Sequence, residues 1–143
     1  MMRNRICLIC LVLLGVVSVS THAAAAEAGR AAACEMLANA SRHRCLERQL
    51  ALSENALTAA AAAVRRMMAQ WEPGPHRRAA RANFEKSARA FERYRRAECE
   101  YFASLRYGVA DRDEIAIARL ECALRLNAER TRIFTDLART VVM

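Results

Sequence analysis

Phe84-Glu85-Lys86-Ser87-Ala88-Arg89-Ala90-Phe91-Glu92-Arg93-Tyr94-Arg95-Arg96-Ala97-Glu98-Cys99 sets Phe84, Ala88, Phe91 and Tyr94 at steps of three and four residues, with charged side chains between them. Residues at those steps share one face of an α-helix, so the stretch reads as amphipathic helix. Outward from it, Phe102 and Leu105 extend the apolar side, while Arg77, Arg78, Arg81, Arg89, Arg93 and Arg96 supply the charge. A helix is therefore predicted from about His76 to Tyr107. Pro73-Gly74-Pro75 closes it on one side and Gly108 on the other, each a strong interruption of helical backbone.

Both neighbouring segments carry the same period. Upstream, Leu46, Leu50, Leu57, Val64, Met68 and Trp71 fall on one stripe between about Cys45 and Gln70, and the small side chains of Ala59 to Ala63 allow another helix to approach closely. Downstream, Asp111 resembles an N-cap with Glu114 as its capping-box partner, and Ile115, Ala118, Cys122, Leu126, Ile133 and Leu137 form a stripe behind it. A short helix is expected over Ala28 to Asn39, with Asn39 to Arg44 as a polar connection. No stretch alternates with period two. The expected fold is all-α: a small, disulfide-stapled, up-and-down bundle of three long helices, near 40 Å each at about 1.5 Å per residue, plus a short N-terminal one.

The first residues read differently. Met1-Met2-Arg3-Asn4-Arg5 is a positive start, Ile6 to Val19 is apolar, and Thr21-His22-Ala23-Ala24-Ala25-Ala26 is a run of mostly small residues ahead of Glu27. That order is a secretory signal peptide over residues 1–26, with cleavage after Ala26 and Ala23 as the alternative site. The apolar run is short of the roughly 20 residues needed to span a bilayer. Cys10 sits inside it rather than behind it, which argues against lipidation; Cys7 and Cys10 leave with the signal. Residues 27–143 remain as a single domain of 117 residues with 21 basic and 15 acidic side chains, a formal charge of +6. Lys86 is the only lysine, so the positive charge is almost wholly arginine.

Cys34, Cys45, Cys99 and Cys122 remain after cleavage. An even count in a short exported chain implies disulfides. No CxxC pair is present, and His43 and His76 do not complete a zinc set, so no metal or other cofactor is expected. Cys99 and Cys122 lie almost equally far from a turn near Ala110, which favours Cys99–Cys122 together with Cys34–Cys45. Cys45 and Cys99 are also nearly level about Pro73-Gly74-Pro75, so Cys45–Cys99 with Cys34–Cys122 stays open.

The Phe84–Cys99 stretch, with its aromatic, Tyr-Arg pair and Glu-Cys, resembles the signature of the LprI-like family, named for a lysozyme inhibitor. Gly108, Cys122, Leu126 to Arg130 and Leu137 continue the likeness, and Cys34 and Cys45 match the paired cysteines near the family's mature start. The likeness covers most of residues 33–138. The family commonly has Gln and Trp at the positions of Ala88 and Phe91, and Asp at that of Arg96.

An enzyme is not expected. Acid–base or nucleophilic catalysis needs convergent groups of complementary type. This chain offers two histidines beyond the signal, each beside arginine, and Glu98 and Glu100, two apart, do not share a helix face. Export, to the periplasm or the outside, points to a binding protein of the cell envelope. The resemblance implies a lysozyme inhibitor, for which Asp111, Asp113, Glu114 and Glu121 are candidate protein-contact residues. The alternative is a binder of anionic envelope material, such as lipopolysaccharide, acidic lipid or polysaccharide, through Arg77, Arg78, Arg81, Arg89, Arg93 and Arg96. Export argues against nucleic acid as a partner. No stable membrane span is expected once the signal is cleaved. Trp71 and Phe91 read as core rather than as anchors for a partner.

Overall fold

The computed structural model describes residues 33–140; the signal peptide expected over residues 1–26 and the first part of the short helix expected from Ala28 lie outside the described residues. Three long helices follow one another: α1 (Asn39–Ala69), α2 (Pro75–Ser104) and α3 (Arg112–Thr140). Residues 33–35 are helical as well, and no strand occurs among the described residues. The all-α bundle read from the sequence is the fold of the chain.

Each boundary has a local cause. Pro75 sits in the first turn of α2, where its missing N–H is not needed. Arg77 donates to the carbonyls of Ala69 and Trp71 at 3.3 and 3.1 Å, covering acceptors at the exposed end of α1. Gly108 has φ +87°, a left-handed conformation that favours glycine, and it lets the chain reverse between α2 and α3. Asp111 caps α3: its Oδ1 accepts the Glu114 amide at 2.8 Å, as the sequence predicted.

One boundary differs. Asn39 to Arg44, expected as a connection, forms the first turns of α1, and the link lies at residues 36–38. The Ala38 carbonyl accepts the amides of Ser41 and Arg42, Arg42 pairs with Glu121 of α3, and Cys45 is bonded to Cys34. These contacts hold as helix a polar stretch with no apolar stripe of its own.

α1 and α3 run parallel and form the main interface; α2 returns antiparallel to α3 and touches α1 sparingly. Three apolar clusters follow the bundle axis. At the end holding the α1–α2 turn, Ala60, Ala61, Val64, Met67, Met68 and Phe134 are buried, with Trp71 and Phe84 packed on them. The alanines give the Phe134 ring room between the helices, and it meets Phe84 at 5.2 Å between centroids. At the opposite end Leu46 and Ile117 pack around Cys34, while Cys99, Cys122 and Leu126 join α2 to α3. Both favoured disulfides are present, Cys34–Cys45 and Cys99–Cys122.

Between the clusters lies a polar layer. Asn127 is completely buried; its Nδ2 donates to Ser53 Oγ of α1 at 2.9 Å, and its Oδ1 accepts from Arg95 of α2 at 2.6 Å. Ser53 donates in turn to the Leu50 carbonyl, and Arg95 pairs with Glu54 at 3.3 Å. One asparagine thus ties all three helices at one level.

The buried side expected for α2 is corrected near its end. Phe84 and Phe91 pack inward, but Tyr94, Phe102 and Leu105 are exposed, and Leu137 of α3 likewise. A three-helix bundle lacks a fourth neighbour to cover them.

Candidate contact surface at the α2–α3 tip

The turn between α2 and α3 gathers the bundle's most concentrated exposed apolar surface. Tyr101, Phe102, Leu105, Tyr107 and Val109 stand in solvent within nine residues, Val109 at 87%. Single exposed hydrophobics are ordinary, but a contiguous group on a small domain marks a place of contact. The turn is held from beneath. Arg119 forms a two-pronged pair with Glu100, Nε to Oε2 at 2.6 Å and a terminal nitrogen to Oε1 at 2.9 Å, and also donates to the Tyr107 hydroxyl at 2.8 Å. Tyr107 closes the ring by donating to Glu100 Oε1 at 2.7 Å. The Arg119 and Tyr107 hydrogen bonds hold the Glu100 carboxyl down at about 2, and the same Glu100 bond pushes the Tyr107 hydroxyl up. The ring fixes the approach of α2 to α3, and with it the presentation of the tip.

Of the four acids read as contact residues, Asp113 and Glu114 are exposed in the first turn of α3 and Asp111 just ahead of it, beside the apolar group. Asp111 spends one oxygen on the helix cap. Glu121 lies further along α3, half-buried and paired with Arg42, so it does not join them. Arg106 and Arg112 are exposed at the same tip and offset most of its negative charge.

The arginine face divides too. Arg77 turns toward the end of α1 and is occupied with carbonyls. Arg78, Arg81, Arg89, Arg93 and Arg96 are exposed, and none forms an ion pair among the described residues. At 3.6 residues per turn these five fall within about 120° of the helix circumference. Glu85, on the same helix, pairs with Arg65 of α1 at 2.7 Å.

The sequence did not single out Asn127, Arg119 or Tyr107, because each works through partners distant in the chain. Asn127 lies outside the stripe from Ile115 to Leu137, so its burial against α1 left no signal in the sequence. No group of three metal-ligating side chains occurs among the described residues, and no helix among them is long and apolar enough to cross a membrane.

Compared with known proteins, residues 25–133 match the model of a family described as Lysozyme inhibitor LprI. No curated protein and no solved structure matches the chain.

Proposed function

The chain belongs to the LprI lysozyme-inhibitor family, and from that premise we propose that it is an exported envelope-binding protein that blocks a lysozyme with its α2–α3 tip. The observation that carries this reading is the exposed group Tyr101, Phe102, Leu105, Tyr107 and Val109 at the end of a cross-linked hairpin. An inhibitor of this kind needs no chemistry of its own. It needs a rigid projection that fills a cleft, and aromatic side chains supply contact area at low entropic cost. Basic lysozymes of the animal type are repelled at long range by a +6 protein, so the contact has to be made by apolar complementarity. Asp111, Asp113 and Glu114 soften that repulsion locally.

The test is inhibition of a chicken-type lysozyme by the oxidised protein, titrated at two salt concentrations beside a reduced and alkylated sample. Dose-dependent inhibition that holds or strengthens as salt screens the repulsion, vanishes on reduction and weakens at least tenfold in L105D/V109D supports the reading. Absence of inhibition at a large molar excess refutes it.

The five unpaired arginines favour a second reading, binding of anionic envelope material along α2. Binding of this protein to lipopolysaccharide or anionic vesicles would then fall steeply with ionic strength, and R89E/R93E would abolish it without changing lysozyme inhibition.

A further inference from the structure

Four arginines of this bundle reach a side chain on another helix and meet a carboxylate there: Arg42 with Glu121, Arg65 with Glu85, Arg95 with Glu54 and Arg119 with Glu100. Arg130 reaches across from α3 to α2 and meets none. Its guanidinium lies over the rings of Phe134 and Phe91, 4.5 and 5.4 Å from their centroids, and donates to Ser87 Oγ at 2.6 Å. Its Nε, like that of the ion-paired Arg42, is shut off from water and has no hydrogen-bond acceptor. Burial draws its pKa below the ordinary arginine value, and no carboxylate offsets that burial.

This side chain lines a groove of about 380 Å³ between α2 and α3, open to solvent and walled by Ala90, Phe91, Tyr94, Leu126 and Ile133. Leu126 to Ile133 measures about 10 Å along the helix axis, enough for a short acyl chain. Ligand sites take this form: mostly apolar walls with a few polar or charged groups that fix orientation. The charge missing is one negative charge. Glu129, exposed at the rim, makes no ion pair with Arg130, and its negative charge opposes a doubly charged head such as a phosphate monoester more than a carboxylate.

We propose that the α2–α3 groove binds a medium-chain fatty acid, its carboxylate on the terminal nitrogens of Arg130 and its chain along Phe91, Tyr94 and Leu126. The planar fork of arginine suits a carboxylate. The site lies apart from the tip and does not depend on the lysozyme reading.

Octanoate, octanol and octyl phosphate titrated calorimetrically into the exported, oxidised protein test this. One octanoate should bind per chain, at least tenfold more tightly than octanol or octyl phosphate. Arg130→Gln should lower octanoate affinity at least tenfold with an unchanged helical circular-dichroism spectrum. If that variant does not fold, Ala90→Trp, which fills the groove without removing any partner of Arg130, must abolish binding. No octanoate binding, equal binding of octanol, or unchanged binding in Ala90→Trp would overturn the site. Equal or tighter binding of octyl phosphate would overturn the fatty-acid assignment. So would an apolar peptide with a free C-terminal carboxylate that binds where octanoate does not.

Discussion

Replacing Asn127 with alanine tests the polar layer that joins the three helices. The side chain is fully buried and makes two hydrogen bonds, one from the charged Arg95 at 2.6 Å and one to Ser53 at 2.9 Å. A bond to a charged group contributes about 1.5–3 kcal/mol net and a neutral one about 0.5–1.5 kcal/mol. The loss should therefore be about 3 kcal/mol, a large part of the roughly 5–15 kcal/mol that holds a domain together. Urea unfolding followed by circular dichroism, with both disulfides intact, reads it directly. At a slope of about 2 kcal/mol per molar, the midpoint should fall by about 1.5 M. Ser53→Ala provides the coupling: the double variant should be less destabilised than the two single losses combined, by about 1 kcal/mol. A loss below about 1 kcal/mol for Asn127→Ala, or strict additivity, would refute the claim that this residue joins the helices.

Removing the Cys99–Cys122 bridge in C99A/C122A releases a loop of 23 residues' separation, and should lower stability by about 3 kcal/mol in the same assay. Asp111→Ala removes the cap of α3 and should cost about 1 kcal/mol, with faster amide exchange at Glu114. Glu100, held at about 2, favours the folded state above the ordinary carboxylate value near 4.5 and loses that contribution as pH falls toward 2. Carbon-detected NMR titration should place its midpoint near 2, and Arg119→Gln should return it toward 4.5; an unmoved midpoint would show that Arg119 is not the cause.

The long helices, the Asp111 cap and the favoured disulfide pairing were legible because each depends on spacing along one or two adjacent helices. Cys99 and Cys122, for example, are levelled by the hairpin between them. What escaped depends on the third helix. Phe102 and Leu105 keep the period of a buried stripe, but period alone does not say whether a neighbour exists to bury them, and here none does. Asn39 to Arg44 read as a connection because the stretch is polar, while its helical form follows from Glu121 and Cys34. Arg130 reads as one more surface arginine until its guanidinium is seen over the rings of Phe91 and Phe134. Arg119 was hidden in the same way, since Glu100 stands 19 residues back in the chain.

The parallel course of α1 and α3 has a practical bearing on attachment. The described chain begins beside the tip, where Cys34 and Cys45 pack on Ile117, and it finishes at the opposite end, where Ala138 packs on the cluster around Phe134. The 31 residues of α1 put about 45 Å between those ends. A tether fused behind Thr140 would work as a stalk, holding Leu105 and Val109 clear of any support. A tether fused ahead of Cys34 would crowd them against it, so the two fusions of one protein should report unequal capture of the same large partner.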